Sequence, residues 1–230
     1  MSQPTIFISG ASKGIGLAIA RTFYGHQFRV IICARGEAGL RTAKEEMPNL
    51  ITYQCDVSDK AEVQKMTAWL NAEIGPLEVL VNNAGYFQPG EVHVESDEVY
   101  ESMLRTNMDS TYYLTKGVVS LMKQQQKGTI FNIASIASLK AYANGGSYSI
   151  SKYAMLGFSK NLREELKPHG IRVMSVMPGA TLTASWEGVD VPAERLMPPQ
   201  DVAELVWAMY NTSYRTVVEE IIIRPMLGDL

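Results

Sequence analysis

Tyr148 and Lys152 lie four residues apart, and Ser135 lies thirteen residues before Tyr148. A spacing of four puts both side chains on one face of a helix, where they can act as a unit. A free phenol titrates near ~10, so a tyrosine that exchanges protons near neutrality needs its anion stabilised by about 4 kcal/mol for a three-unit shift. An ammonium ~4 Å away, at an effective dielectric of ~20, supplies about that much Coulomb energy as a ceiling. The set therefore proposes a proton donor for reducing a carbonyl. A packed aromatic beside a solvated charge is the plainer alternative.

The chain offers a cofactor site to match. Ser9-Gly10-Ala11-Ser12-Lys13-Gly14-Ile15-Gly16 follows a strand-like run from Thr5 to Ser9 and precedes the helical stripe Leu17, Ala20, Phe23. Glycines let the backbone turn sharply and approach a pyrophosphate, while a helix N-terminus presents unpaired N–H groups to it. The G-x-x-x-G-x-G spacing differs from the commoner G-x-G-x-x-G, and three glycines in seven residues also occur in ordinary tight loops.

The elements that would hold these residues alternate throughout. Strand-like runs recur at Thr5 to Ser9, Arg29 to Cys33, Ile51 to Cys55, Val79 to Asn82, Thr129 to Ile133, Arg172 to Met177 and Val217 to Ile223. Helical patterns begin between them near Gly14, Glu37, Lys60, Asp97, Ser147 and Gln200. Nearly continuous apolar strands separated by helix-length segments predict an α/β fold, a doubly wound parallel sheet of about seven strands with helices on both faces. In this Rossmann-like arrangement ligands sit at the carboxyl ends of the strands. Asp59 and Ser96 are candidate N-caps, Gly75-Pro76 should stop one helix, and Lys167-Pro168-His169-Gly170 should end the longest. Residues 1–230 show no internal boundary or repeat and read as a single domain.

Composition narrows the function classes. At 230 residues, 46 % hydrophobic and 20 % charged, the chain has near-average globular composition for one sizeable domain. A net charge of −3 with no long basic run gives no support to a nucleic-acid or anionic-membrane partner. The apolar runs are far too short to span a bilayer. Met1-Ser2-Gln3-Pro4 runs straight into the first strand and leaves no room for a cleavable leader, so the expected location is cytoplasmic. Cys33 and Cys55 read as a pair of buried thiols rather than a disulfide. His26, His93 and His169 lack ligand spacing, so no metal site is expected.

In order and spacing these motifs resemble the short-chain dehydrogenase/reductase family over nearly the whole chain. The matching residues are the turn at 9–16, Asp56-Val57, Asn82-Asn83-Ala84-Gly85, Asn107, Ser135, Tyr148 with Lys152, and Pro178-Gly179-Ala180-Thr181-Leu182-Thr183. The resemblance implies a nicotinamide cofactor bound by Gly10, Ser12, Lys13, Gly14, Ile15 and Gly16, with Asp56 and Val57 at the adenine. It counts Asn82, at the strand end, among the cofactor-binding residues, and places Ala84 and Gly85 on the adenosine side and Pro178, Gly179, Thr181 and Thr183 around the nicotinamide. It makes Asn107, Ser135, Tyr148 and Lys152 the catalytic set. Hydride passes to a substrate carbonyl, Ser135 hydrogen-bonds its oxygen and Tyr148 protonates it. Lys152 lowers the Tyr148 pKa and holds the nicotinamide ribose, and Asn107 supports a water linking Lys152 to solvent. Relatives that prefer NAD carry an acid at the end of the second strand, where this chain has Ala34 followed by Arg35. With Lys13 in the turn, two cations and no acid favour the 2′-phosphate of NADP.

The substrate is less legible. The segment 184–197 reads as a short lid, and Tyr86, Tyr142 and Trp186 are aromatic candidates to line the pocket or to pack against a helix. Several roles stay open: a broad small-carbonyl reductase or alcohol dehydrogenase, a 3-oxoacyl carrier-protein reductase, a pterin reductase with Asp229 meeting a guanidine-like ring, or a non-catalytic NADP sensor. Gln126 and His169 stand where carrier-docking cations would be expected, although Lys123, Lys127 and Lys167 are close in sequence. The resemblance also implies a homodimer or homotetramer paired through helices at Asp97 to Gln124 and Ser147 to Lys167, where Met103, Met108, Leu114 and Val118 could serve either interface or core.

Overall fold

The computed structural model describes residues 3–230; Met1 and Ser2, the start of the run read as leaving no room for a leader, lie outside the described residues. Seven strands, β1 (Thr5–Ser9), β2 (Arg29–Ala34), β3 (Ile51–Gln54), β4 (Val79–Asn82), β5 (Gly128–Ile133), β6 (Ile171–Pro178) and β7 (Glu220–Ile223), form one sheet in the order β3-β2-β1-β4-β5-β6-β7. Every pairing is parallel. The helices are α1 (Gly14–Gly25), α2 (Glu37–Glu46), α3 (Lys60–Trp69), α4 (Asp97–Leu104), α5 (Ser110–Gln125), α6 (Gly146–Leu166) and α7 (Pro199–Tyr210). The expected doubly wound single domain is thus present.

The apolar runs of the central strands are continuous because each is covered twice. Ile6 and Ile8 face one core with Ile19 and Phe23 of α1, Leu40 of α2 and Val206 of α7. Phe7 faces the other, with Met66 of α3, Leu114 and Val118 of α5, and Leu162 of α6. At about 1.5–3 kcal/mol per fully buried large side chain, both layers drive the chain into this one register. The order of the strands reverses between β1 and β4, so their carboxyl ends, Ser9 and Asn82, open the crevice where such sheets bind ligands.

Several sequence expectations shift. The run from Val217 is strand only from Glu220, because only Glu220–Ile223 find partners on β6 while Val217 and Val218 pack into the core. The helix expected over Asp97 to Gln124 is broken by a π-helical turn, Arg105–Asp109. Met103, Leu114 and Val118 are 0 %, 2 % and 2 % exposed, so they are core of this chain rather than interface. Asp59 caps α3 through the amides of Ala61 and Glu62, whereas Ser96 occupies the cap position of α4 without a side-chain cap bond. Both cysteines are free and buried. Burial, then the neighbouring Cys55 thiol, pushes Cys33 up to about 12; burial, then Glu62, Asp56 and Asp59, pushes Cys55 to about 12. Among the described residues no helix is long and apolar enough to cross a membrane.

Candidate active site

The floor of the crevice is a contact between the Gly-rich turn and the loop after β4. The Ser9 hydroxyl accepts the amides of Asn83 and Ala84, both at 3.1 Å, and the Asn83 side chain returns bonds of 2.9 Å to the Ser9 and Gly10 carbonyls. Gly10 has φ +64, and a Cβ there would stand 2.7 Å from the Ala84 Cα; one on Gly16 would stand 2.4 Å from Asn83 Nδ2. The turn therefore needs glycine at both positions. α1 starts at Lys13-Gly14 with no side-chain cap and no acid in its first turn, which leaves its leading amides to an anion. Ser12 packs against α2, where a Cβ on Gly39 would stand 2.9 Å from it, and Ile15 packs on the core.

Asp56, expected at the adenine, follows β3. Burial opposes its ionisation, but the Ser58 hydroxyl and amide and the Arg35 guanidinium outweigh that and hold the carboxyl below its ordinary value. Arg35 Nη1 lies 3.8 Å from Asp56, and its side chain is 82 % exposed, so this ion pair is weak and leaves the guanidinium able to turn. Val57 is half-buried against the core. Ala34 is buried, and Lys13 projects into solvent beside the turn.

Asn82 ends β4. It is 0 % exposed, and its amide donates to Thr115 Oγ1 at 2.9 Å and to Asn132 Oδ1 at 2.7 Å, so it ties β4 to β5 and α5 beneath the crevice. Ala84 and Gly85, by contrast, line it. A Cβ on Gly85 would meet Asn107 Oδ1 at 3.1 Å and Lys152 Nζ at 3.6 Å.

At the other end of the crevice four elements converge. Ser135 follows β5, is 7 % exposed, and its hydroxyl accepts the Ala137 amide and lies near enough to the Tyr148 phenol to favour its ionised form. Tyr148 and Lys152 share one face of α6. Lys152 is 4 % exposed, and its Nζ donates to the Ile133 carbonyl at 2.9 Å and lies 5.8 Å from the Tyr148 ring centre. Asn107 sits in the π-helical turn, accepts the Tyr86 amide at 2.9 Å and donates to the Tyr86 carbonyl and to Ser151 Oγ at 3.0 Å each. It thereby fastens the β4 loop to α6.

The expected lowering of the Tyr148 pKa is reversed in the protein itself. Burial raises it, the nearby Ser135 hydroxyl only partly offsets this, and Lys152 is engaged with a carbonyl rather than with the phenol. Burial likewise lowers Lys152 to about 8. The resulting tyrosine is protonated near neutrality, which is the form a donor must have.

The β6 loop closes the site. Gly179 donates to the Ile223 carbonyl at 2.7 Å, Thr181 donates to the Gly179 carbonyl, and a Cβ on Gly14 would stand 3.2 Å from the Thr183 methyl. Pro178 and Gly179 thus bring the loop expected at the nicotinamide against β7, and Thr183 rests on the Gly-rich turn. The segment 184–197, expected as a lid, is pinned at its base by Leu182 N to Met197 O, 2.8 Å, and Met197 N to Ala180 O, 3.0 Å. Trp186 ends its first 3₁₀ turn, half-buried.

Of the aromatic candidates, Tyr142 stands beside the site. Its partial burial and then the Tyr148 charge push its phenol to about 12. Tyr86 instead turns its hydroxyl to Ser102 of α4 at 3.0 Å and packs there. Phe87, not singled out in the sequence, packs edge-on against Tyr148 with ring centres 5.0 Å apart. Its signal was an aromatic directly beyond the Asn82–Gly85 loop. Ser151, three residues after Tyr148, was also legible as a polar residue on the same helical face.

Comparison with known proteins agrees with this geometry. The family model for short chain dehydrogenase matches residues 4–191. The chain belongs to that family. It is 34 % identical to sepiapterin reductase of Chlorobaculum tepidum, over 98 % of this chain and 97 % of the relative. It is also 34 % identical to the NADP-dependent 3-hydroxy acid dehydrogenase of Escherichia coli, over 88 % and 87 %. Among solved structures, actinorhodin polyketide ketoreductase with NADPH superposes with a TM-score of 0.90 at 30 % identity, covering 99 % of this chain and 98 % of the other. In this short-chain dehydrogenase Phe87 and Tyr142 stand beside Tyr148, and the segment 184–197 closes on Met197.

Proposed function

We propose that the protein is an NADPH-dependent reductase of small carbonyl compounds, with Tyr148 as general acid. The observation that carries this reading is the Tyr148 phenol, close enough to Ser135 for that hydroxyl to offset part of its upward pKa shift, with buried Lys152 on the same helical face. The cofactor fits the residues present: a glycine cradle, uncapped amides at α1, and Lys13 and Arg35 flanking a position without an acid. When bound, NADPH supplies the hydride. Ser135 orients the carbonyl oxygen, Tyr148 donates the proton as negative charge develops there, and Lys152 holds the ribose and keeps positive charge behind Tyr148. Phe87 and Tyr142 flank the phenol and suit a planar or aromatic substrate.

A small molecule fits better than a carrier-borne one. Gln126 bonds the Lys123 carbonyl and His169, while Lys127 is paired with Glu78 and Lys167 with Glu164. For a pterin, Asp229 is already paired with Arg224, so a guanidine-like ring would have to displace that partner.

The test is NADPH oxidation against a panel of aldehydes, diketones, acyl thioesters and pterins, with the wild type and Tyr148→Phe. Loss of the phenol should leave NADPH binding intact and slow reduction by ~10² to 10⁴. Near-normal turnover by Tyr148→Phe overturns the mechanism. Tight NADPH binding without turnover of any carbonyl favours the sensor.

A further inference from the structure

The helix that carries Tyr148 has no cap of its own. α6 begins at Gly146 with Gly145 before it, so neither residue offers a side chain to the first amides. Tyr148 is the third residue of this helix and lies in the turn whose N–H groups have no intrahelical partner.

A partner arrives from a loop 52 residues upstream. Glu95 Oε1 accepts the Ser147 amide at 3.0 Å and the Ser147 hydroxyl as well. The loop is strapped to this helix start by a parallel bridge between Gly90 and Gly145, and the Gly90 amide donates to Asn144 O at 3.1 Å. Glycines make room for the carboxylate. A Cβ on Gly90 would stand 2.9 Å from Glu95 Oε2, and one on Gly146, at φ +40, would stand 2.9 Å from the same oxygen and 2.5 Å from the Gly90 carbonyl. Oε2 is buried there with no hydrogen-bond partner among the described residues. Burying such an oxygen is unfavourable, so the slot persists only because Oε1 and the charge at a helix N-terminus more than offset it.

We propose that Glu95 is the positioning residue for the general acid, acting through Ser147 to hold the first turn of α6 and with it the Tyr148 hydroxyl against Ser135. The inference rests on Tyr148 being the proton donor. Lys152 lies a turn further in, buried and anchored on Ile133, so its hold on the cofactor does not depend on Glu95.

The experiment compares Glu95→Ala, Glu95→Gln, Tyr148→Phe and the double variant Glu95→Ala with Tyr148→Phe. The carbonyl is the one reduced fastest in the panel. Glu95→Ala should lower kcat by about 10- to 100-fold, the scale of a small misplacement of a reacting group, while NADPH affinity by fluorescence titration is unchanged. Glu95→Gln keeps an oxygen for the Ser147 amide and should recover most of kcat. In the Tyr148→Phe background Glu95→Ala should cost nothing more, because the group it positions is gone. Hydrogen exchange should quicken in the peptide holding Gly146 to Tyr148 and not beyond Lys152. If Glu95→Ala fails to fold, Glu95→Asp, one methylene too short, is read in its place. Wild-type turnover by Glu95→Ala beside an inactive Tyr148→Phe overturns this inference alone, as does an equal fractional loss in both backgrounds. Near-normal turnover by Tyr148→Phe overturns the donor assignment beneath it.

Discussion

Lys152 titrates where an assay can see it. Burial brings its ammonium from an ordinary 10.5 down to about 8, while the same burial moves Tyr148 upward. Lys152 is charged below about 8 and neutral above it, whereas Tyr148 keeps its proton over that interval. Reductive kcat/KM should therefore fall on the alkaline side with a midpoint near 8, set by the lysine. A rate that holds level up to pH ~10, the free-phenol value, would contradict this. For stability the sign is opposite. From about 8 to 10.5 the unfolded chain binds more protons than the folded one, so this group makes the fold more stable as pH rises through that window. At the other end of the crevice, Ala34→Asp with Arg35→Ala adds a repelling acid and removes the fork. Charge-assisted hydrogen bonds contribute roughly 1.5–3 kcal/mol each, so the wild type should bind NADPH at least ~10 times tighter than NADH, and the double variant should reverse this. Equal affinities in the wild type would defeat the assignment. Tyr148 and Lys152 were legible because spacing along one helix converts directly into a shared face, whereas Ser135, on the loop after β5, was assigned from resemblance. Phe87 and Glu95 were not, because they lie in a loop without periodicity whose position is fixed only by what it packs against.

The π-helical turn at Arg105–Asp109 is the element that sets Asn107 against Tyr86 and Ser151. It inserts one residue between two α-helical segments and so lets the buried Asn107 face Tyr86 and Ser151 while Leu114 and Val118 still face the core. In a regular helix each residue advances about 100°. Deleting Asp109, which is exposed, should restore α-helix and force one face out of register. Core burial outweighs three hydrogen bonds, so α5 should keep its packing and Asn107 should turn away. The expected result is a folded protein by circular dichroism whose carbonyl reduction is lost. Retained activity would show that Asn107 is dispensable. Sequence periodicity missed this turn because apolar residues on either side fit one long helix, and a single extra residue hides within the scatter of the pattern. Asn107 was assigned from resemblance, and its contacts with Tyr86 and Ser151 became visible only in three dimensions.

Across the whole molecule the sheet was legible and its edges were not. Strands β1, β2, β4 and β5 are buried on both faces, so their uninterrupted apolar runs admit one interpretation. At the β7 edge, Val217 and Val218 look like strand because packing alone demands apolar residues there, with no ladder partner. The lid has a different kind of freedom. Its ends are joined by two backbone hydrogen bonds between 180–182 and Met197, so they do not depend on what the intervening residues are. Closing a loop twice as long across that base adds only about 0.6 kcal/mol. The lid is thus an exchangeable module: grafting a longer segment between Thr183 and Leu196 should change which carbonyls are reduced, with NADPH affinity and melting temperature nearly unmoved. A graft that abolished NADPH binding would show that the lid belongs to the cofactor site after all. By this account, diversification of substrate range on this scaffold proceeds by swapping a loop whose hem is already stitched.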